Sequence, residues 1–224
     1  MKDNFVPEVT SLLRQKMVLV PEVIHQKASG IKVYGKLIKS LVFTTDIALI
    51  RNTNAHAVLA VYPFTPQPVI THALMMAADI PVFCGVGGGL TQGRRVINLA
   101  LDAEFQGAMG VVVNAPTAND IIKKMRAAID IPIVVTIVSE KEDIKGRVEA
   151  GATILNISGA QKTPDIVKYV RDICPDIPII ATGGPTEETI LKTIEAGANA
   201  ISYTPPTNAE IFSEVMDKYR KEKE

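Results

Sequence analysis

The stretch DIPIIATGG, residues 176–184, sets an acid and a proline before a short apolar run that ends in two glycines. Its opening triplet occurs twice more: Asp79-Ile80-Pro81 precedes VFCGVGGG and Asp130-Ile131-Pro132 precedes IVVTIVSE. A short apolar run after such a triplet reads as a buried parallel strand. Proline is tolerated at the first position of a strand and prevents a preceding helix from continuing, so the triplet marks a helix end and a strand start.

A second series lies between these runs. Asn54-Ala55-His56-Ala57 leads into VLAVYPF, Gly107-Ala108-Met109-Gly110 into VVVNAPT, Gly151-Ala152-Thr153 into ILNISGA, and Gly197-Ala198-Asn199-Ala200 into ISYTPPT. Glycine closes a helix through the left-handed cap, and alanine lets helix and strand approach closely. Two alternating signatures imply a unit of two strands and two helices. Apolar stripes predict helices over 67–78, 91–104, 117–128, 142–150, 164–174, 186–196 and 207–220. Thr117 and the Pro185-Thr186 pair read as helix starts.

One double unit before Pro81, the spacing predicts a first strand in KLIKSLVFTT ending near Phe43. A rival strand, DIALI at 46–50, lies too close to VLAVYPF, because parallel neighbours need a crossover of about a dozen residues. Asp46 therefore reads as the cap of a short helix. Eight strand-helix pairs close into a single (β/α)8 barrel spanning the chain. Residues 1–35 are expected to form a helix (Val9–Lys16) and an irregular strap across the amino-terminal end of the barrel.

The totals restrict the partners. Twenty-four basic and twenty-four acidic residues give zero formal charge, so there is no global field for nucleic acid or an anionic membrane. A small-molecule ligand is the expected partner, together with a second copy of the chain through the apolar stretch Ala73–Ala78. The two cysteines form no disulfide framework, the first residues lack a signal-type apolar core, and no apolar run reaches about 18 residues. The reading is a cytoplasmic chain.

The stretch IIATGGPTEETILKTIEAGANAI, residues 179–201, resembles the phosphate-binding (β/α)8 barrels of the ribulose-phosphate and inosine-monophosphate-dehydrogenase type. In that family a seventh strand ends in two glycines, here Gly183 and Gly184, and Ala-Gly-Ala leads into the eighth. The resemblance implies a lyase or isomerase acting on a phosphorylated metabolite. After the eighth strand, however, the chain reads Tyr203-Thr204-Pro205-Pro206-Thr207, where two prolines remove two backbone donors. Glu187 and Glu188 add negative charge beside the other half of that site.

In such barrels function lies at the carboxyl ends of the strands. The candidates there are Asp46, Tyr62, Cys84, Gly85, Gly87, Gly88, Gly89, Asn114, Thr136, Glu140, Asn156, Ser158, Thr182, Gly183, Gly184, Tyr203 and Thr204. No strand end presents a lysine for a Schiff base or a histidine, and no His/Cys/acid cluster has metal-ligand spacing. No cofactor motif is evident, and a flavin is left open. His56, at the start of the second strand, reads as structural.

Several candidates carry two readings each. Cys84 is a nucleophile with glycine N–H groups around it or a small buried apolar residue. Asp46 and Glu140 are general bases, or Asp46 is only a helix cap. Asn114 and Asn156 contact ligand or satisfy the core. Gly85–Gly89 with Arg94 and Arg95 hold an anion, or the glycines form a tight loop. Three functions follow: a lyase or isomerase, a hydrolase using Cys84 or an activated water, and a non-catalytic ligand-binding barrel.

Overall fold

The computed structural model describes residues 7–223; the first six residues of the expected strap lie outside it. Two short strands, β1 (Ile31–Val33) and β2 (Lys36–Ile38), pair antiparallel. Eight more, β3 (Ser40–Phe43), β4 (Ala57–Ala60), β5 (Val82–Gly87), β6 (Gly110–Val113), β7 (Ile133–Ile137), β8 (Ile154–Ile157), β9 (Ile179–Thr182) and β10 (Ala200–Tyr203), form a closed barrel in which every pairing is parallel. After α1 (Glu22–Lys27), one helix follows each barrel strand: α2 (Ile47–Ile50), α3 (Pro68–Ala77), α4 (Arg94–Phe105), α5 (Asn119–Ala128), α6 (Ile144–Ala150), α7 (Thr163–Ile173), α8 (Glu187–Glu195) and α9 (Asn208–Lys221).

The Asp-Ile-Pro turns are tied down by long side chains. Arg51, after α2, pairs with Asp79 at 2.9 Å. Glu104 of α4 accepts from the N–H groups of Asp130 and Ile131. Arg171 of α7 donates to the carbonyls of Pro175 and Ile177. Each contact satisfies backbone groups or a side chain at the point where a helix hands over to a strand. Gly151 ends α6 at φ 120°, as a left-handed cap requires. Asp46 caps α2, its carboxylate accepting from the N–H groups of Ala48 and Leu49, so residues 46–50 form a helix and not a strand.

The amino-terminal segment differs from expectation. Val9–Lys16 contains only a 3-10 turn at Leu12–Arg14, because its apolar side chains have no surface to pack on and so short an isolated helix is marginal in water. The helix lies later, at Glu22–Lys27, where Ile24 is fully buried. The strap also contains the β1–β2 hairpin, turned by Tyr34 at φ 46° and Gly35 at φ 83°. Tyr-Gly is a weaker signal for this turn than Asn-Gly or Asp-Gly. Ile31, Val33 and Ile38 of the hairpin join Leu41, Phe83 and Ile180 in the cluster that fills the barrel from below.

Beside this plug, His25 of α1 stacks on His56 with ring centroids 4.6 Å apart. His25 Nε2 lies 2.9 Å from the buried Ser40 hydroxyl, and His56 Nδ1 accepts from the Lys39 N–H. Burial lowers both pKa values from 6.5; Lys39 adds to this at His25, and His25 and Lys39 add to it at His56. Neutral rings are therefore favoured in the folded chain. Their contribution is complete above about pH 6.5, the unfolded value, and is lost as pH falls from there through the lower folded values. Melting temperature is expected to drop between pH 7 and pH 5, and His56→Gln to flatten that drop; an unchanged slope would remove the assignment.

Candidate functional site

Side chains alternate along each barrel strand, so the inward positions follow from the buried interior cluster. Leu41, Leu59, Phe83, Val112, Val134, Ile154, Ile180 and Ala200 all belong to it. The next inward position, two residues on, is Phe43, Val61, Gly85, Asn114, Thr136, Asn156, Thr182 and Ser202. This ring has two halves. Five neighbouring strands, β6 to β10, present uncharged polar side chains, while β3 to β5 present a phenyl ring, an isopropyl group and a bare glycine. The ring itself holds no charged side chain.

Asn156 is the most constrained member, with 7% of its surface exposed. Its Nδ2 donates to Thr136 Oγ1 at 3.2 Å, and its Oδ1 is buried without a partner. Turning the amide over only exchanges the unmatched end. Thr182 donates to Ser158 Oγ at 3.4 Å on the outer side of the ring. A buried amide with one satisfied end costs free energy unless a ligand supplies the complement.

Asn114, Thr136, Asn156 and Thr182 are thus brought together as expected at the mouth, with exposed Ser158 and Thr204 one inward position further out. Phe43, Val61 and Ser202 were missed. The alternation that places them was available in the sequence, once Leu41, Leu59 and Ala200 are recognised as interior.

Several candidates lie elsewhere. Cys84 points outward into the layer between strands and helices, is 1% exposed, and burial pushes its thiol up to about 12. It is packing, not a nucleophile, and the hydrolase reading through Cys84 loses its residue. At pH 8 only about one molecule in ten thousand would carry the thiolate. Native protein is expected to titrate one thiol quickly, the half-buried Cys174, and the second only on unfolding. Fast labelling of both would contradict this placement. Tyr203 also faces outward, packing against the outer core and lining a groove beside α9.

The glycine stretch divides by role. Gly85 belongs to the ring. A register shift between Gly85 and Gly87 turns Gly87 outward, where an added Cβ would meet Val96 of α4 at 2.5 Å. Gly88 has φ 103°, and a Cβ there would lie 2.4 Å from Asn114 Cβ. Its N–H donates to Thr91 O, which removes one donor from the expected anion cradle. Gly89 is exposed; Arg94 and Arg95 are exposed in the first turn of α4, which begins at Arg94 and not at Thr91. Tyr62 accepts from the Gln67 N–H and borders a small cleft with Gly85, Gly88 and Asn114.

On the opposite side, Gly183 is buried against Ile190 and Ile201, with Gly184 exposed beside it. Both line a cavity of about 320 Å³ with Thr163, Thr182, Thr189 and Lys192. Among the acids, Asp46 is committed: Oδ1 caps α2 and Oδ2 accepts from Asn208. Glu140 is exposed in the loop after β7, with no hydrogen-bond or ion-pair partner among the described residues. Glu142, which sequence reading passed over, accepts from Val138 N–H, and its other oxygen lies 3.6 Å from Arg147. Arg147 also donates to the carbonyls of Ala115 and Thr117 and to Asn119. Arg147 thereby pins the loop after Asn114 to the connection after β7, a contact that no local spacing signals.

The ring offers a divalent cation no carboxylate or imidazole, and among the described residues no three His, Cys, Asp or Glu side chains cluster. No described helix is long and apolar enough to cross a membrane.

No family model and no curated protein matches the chain. Solved structures do. A phosphonopyruvate hydrolase in complex with oxalate and magnesium superposes with TM-score 0.64 at 14% identity, over 85% of each chain. A phosphoenolpyruvate phosphomutase from Streptomyces platensis gives 0.60 at 11%, over 81% of this chain and 80% of that one. A 4-hydroxy-tetrahydrodipicolinate synthase from Methylacidiphilum fumariolicum gives 0.58 at 15%, over 74% and 67%. At such identities the likeness shows the fold, a (β/α)8 barrel.

Proposed function

We propose that the chain is a small-metabolite enzyme of the lyase or isomerase class, binding its substrate at the carboxyl-terminal mouth through neutral hydrogen bonds. The observation that carries this reading is the half-satisfied amide of Asn156 inside a contiguous polar arc. Its free oxygen calls for a hydroxyl, enol or amine on the ligand. The hydroxyls of Thr136, Thr182 and Ser202 and the Asn114 amide can donate to an oxygen that gains negative charge during reaction. Phe43, Val61 and Gly85 accommodate a flat or apolar face opposite. Glu140 is the acid left to move a proton, since Asp46 is held by its cap.

Two of the solved structures of similar fold are named for phosphonopyruvate and phosphoenolpyruvate, which supports testing those compounds first. A phosphate or carboxylate end is assigned to the α4 side, where the first-turn N–H groups have no side-chain cap and Arg94 and Arg95 lie close. The α8 side is already closed by the Thr186–Thr189 capping box and carries Glu187 and Glu188. A charge-assisted bond contributes about 1.5–3 kcal/mol, so Arg94→Ala or Arg95→Ala should weaken binding of a phosphate ester by roughly tenfold or more. Lys192→Ala should not; the reverse result would assign the anion to the Gly183–Gly184 cavity. Gly183→Ala is unsuitable as the control because its Cβ would meet Ile190 and Ile201 at 2.8 Å.

A second reading rests on a specific feature, the absence of any ionisable group from the ring: a non-catalytic ligand-binding barrel. Melting shifts with oxo acids, hydroxy acids, sugar phosphates and a flavin test both readings. A ligand at a hundred times its dissociation constant stabilises by about 2.7 kcal/mol. A stabilising compound converted over hours, followed by NMR, supports the enzyme, provided Glu140→Gln stops conversion and preserves the shift. Binding without conversion supports the second reading.

A further inference from the structure

The cavity of about 320 Å³ beside Gly183 and Gly184 lies between the connections that follow β8 and β9. Thr182, an inward member of the ring, is also part of its wall. Ring and cavity therefore share a side chain, and a ligand seated on the polar arc has the cavity beside it. Three more threonines line it, and each has its hydroxyl engaged with the protein's own backbone. Thr163 Oγ1 accepts from the Gly159 N–H at 3.0 Å, Thr189 Oγ1 donates to Thr186 O at 2.8 Å, and Thr193 Oγ1 donates to Thr189 O at 2.8 Å. Thr182 gives its own hydroxyl to Ser158 and the ring.

The backbone around the cavity is equally committed. Pro164 and Pro185 bring no N–H, and the Thr163 N–H donates to Ala160 O. The start of α8 is closed by its own capping box and carries Glu187 and Glu188 in its first turn. An anion placed here would find one lining cation, the exposed Lys192, and no cradle of free donors. A polar group entering the cavity would exchange water for few partners, whereas an apolar group gains by leaving water.

We infer that this cavity takes an apolar arm of the ligand held by the ring, so that the substrate is an acid or phosphate ester bearing a short hydrocarbon chain. The inference rests on the mouth reading given above and narrows its substrate class. The topology supports it: α4, to which the anionic end is assigned, follows β5, which stands four places from β9 in the closed ring of eight strands. Anion and hydrocarbon then lie on opposite sides of the mouth, with Asn114, Thr136 and Asn156 on the strands between them. A substrate with two unlike ends is thereby fixed in one direction across the polar arc. The volume of about 320 Å³ stands at the lower end of the roughly 300–1,000 Å³ of small-ligand pockets, which suits a short chain or a single ring.

The test is an NMR titration with the straight-chain 2-oxo acids from pyruvate to 2-oxooctanoate, following the Asn156 amide and the methyl groups of Thr163 and Thr189. Affinity is expected to tighten about fourfold per added methylene, the equivalent of about 0.8 kcal/mol each, until the cavity is filled. The threonine methyls should move only with the longer members. Gln161→Trp and Lys192→Phe, at exposed positions on the two walls, should each fill the cavity and cancel the gain with chain length. An Asn156 shift with one dissociation constant at every chain length overturns the inference and leaves the mouth reading in place, and so does a gain that survives both filling substitutions. Failure of every acid to move Asn156 removes the mouth reading and this inference with it.

Discussion

Asn156→Leu is expected to raise stability and destroy ligand binding together. Leucine keeps the shape of the side chain while removing a buried polar group without a partner, which costs about 1–3 kcal/mol when left unmatched. The bond to Thr136 is lost as well, at about 0.5–1.5 kcal/mol. The net gain is about 1 kcal/mol, which for a chain of this length corresponds to a melting rise of roughly 2–4 °C. Affinity for any mouth ligand should fall tenfold or more. A melting temperature lower by several degrees would mean that the amide serves the core, and that its free oxygen has a partner other than a ligand.

Gly88→Ala should produce the largest loss. The position needs φ 103°, and the new Cβ would lie 2.4 Å from Asn114 Cβ and 2.8 Å from its backbone nitrogen. Left-handed strain contributes about 1–3 kcal/mol, and a clash with backbone cannot be relieved by a side-chain rotation. A cost of about 3 kcal/mol or more is expected, lowering the melting temperature by roughly 6–12 °C. Because Asn114 is a ring residue, ligand response should weaken in the surviving folded fraction. Gly89→Ala provides the comparison: it has φ 68° but no atom within 4 Å, so only the backbone strain remains. Equal effects at the two positions would show that contact with Asn114 is unimportant, and would return the glycine stretch to a simple loop.

These two variants bear on why the barrel was legible in the sequence and the site only partly so. The barrel is written in signals that repeat: three Asp-Ile-Pro turns, glycine stops such as Gly151 and Gly197, and a cap at Asp46 that a strand reading of DIALI would leave unexplained. Each is local, and each is enforced by backbone chemistry that any surrounding structure must respect. Residues 9–16 do not form the expected helix because Val9, Leu12 and Leu13 have the right spacing but nothing to face. The hairpin escaped because Tyr34 takes a positive φ without the usual turn residues.

In the site, strand ends were recognisable but their facing was not. One residue separates Cys84 from Gly85 and Tyr203 from Ser202, and that single step decides between the outer core and the ring. At Gly87 a register shift reverses the alternation, which no pattern of glycines announces. Glu142 and Arg147 belong to one connection, between β7 and β8, but Arg147 reaches Ala115, Thr117 and Asn119 in the connection before it, a contact that only the neighbouring placement of β6 and β7 creates. Asn156 was legible as an isolated amide at a strand end, while the unmatched oxygen that gives it meaning depends on Thr136 of the neighbouring strand.

The most direct measurement is an NMR titration that follows the side-chain amide of Asn156, assigned by its loss in Asn156→Leu, as oxo acids, hydroxy acids and phosphate esters are added. A mouth that binds substrate through its polar arc should show that resonance shifting with the same dissociation constant as the melting response, accompanied by the Asn114 amide. Shifts confined to the Gly183–Gly184 cavity or to the groove beside α9, with both ring amides unmoved at saturation, would contradict a functional site at the barrel mouth.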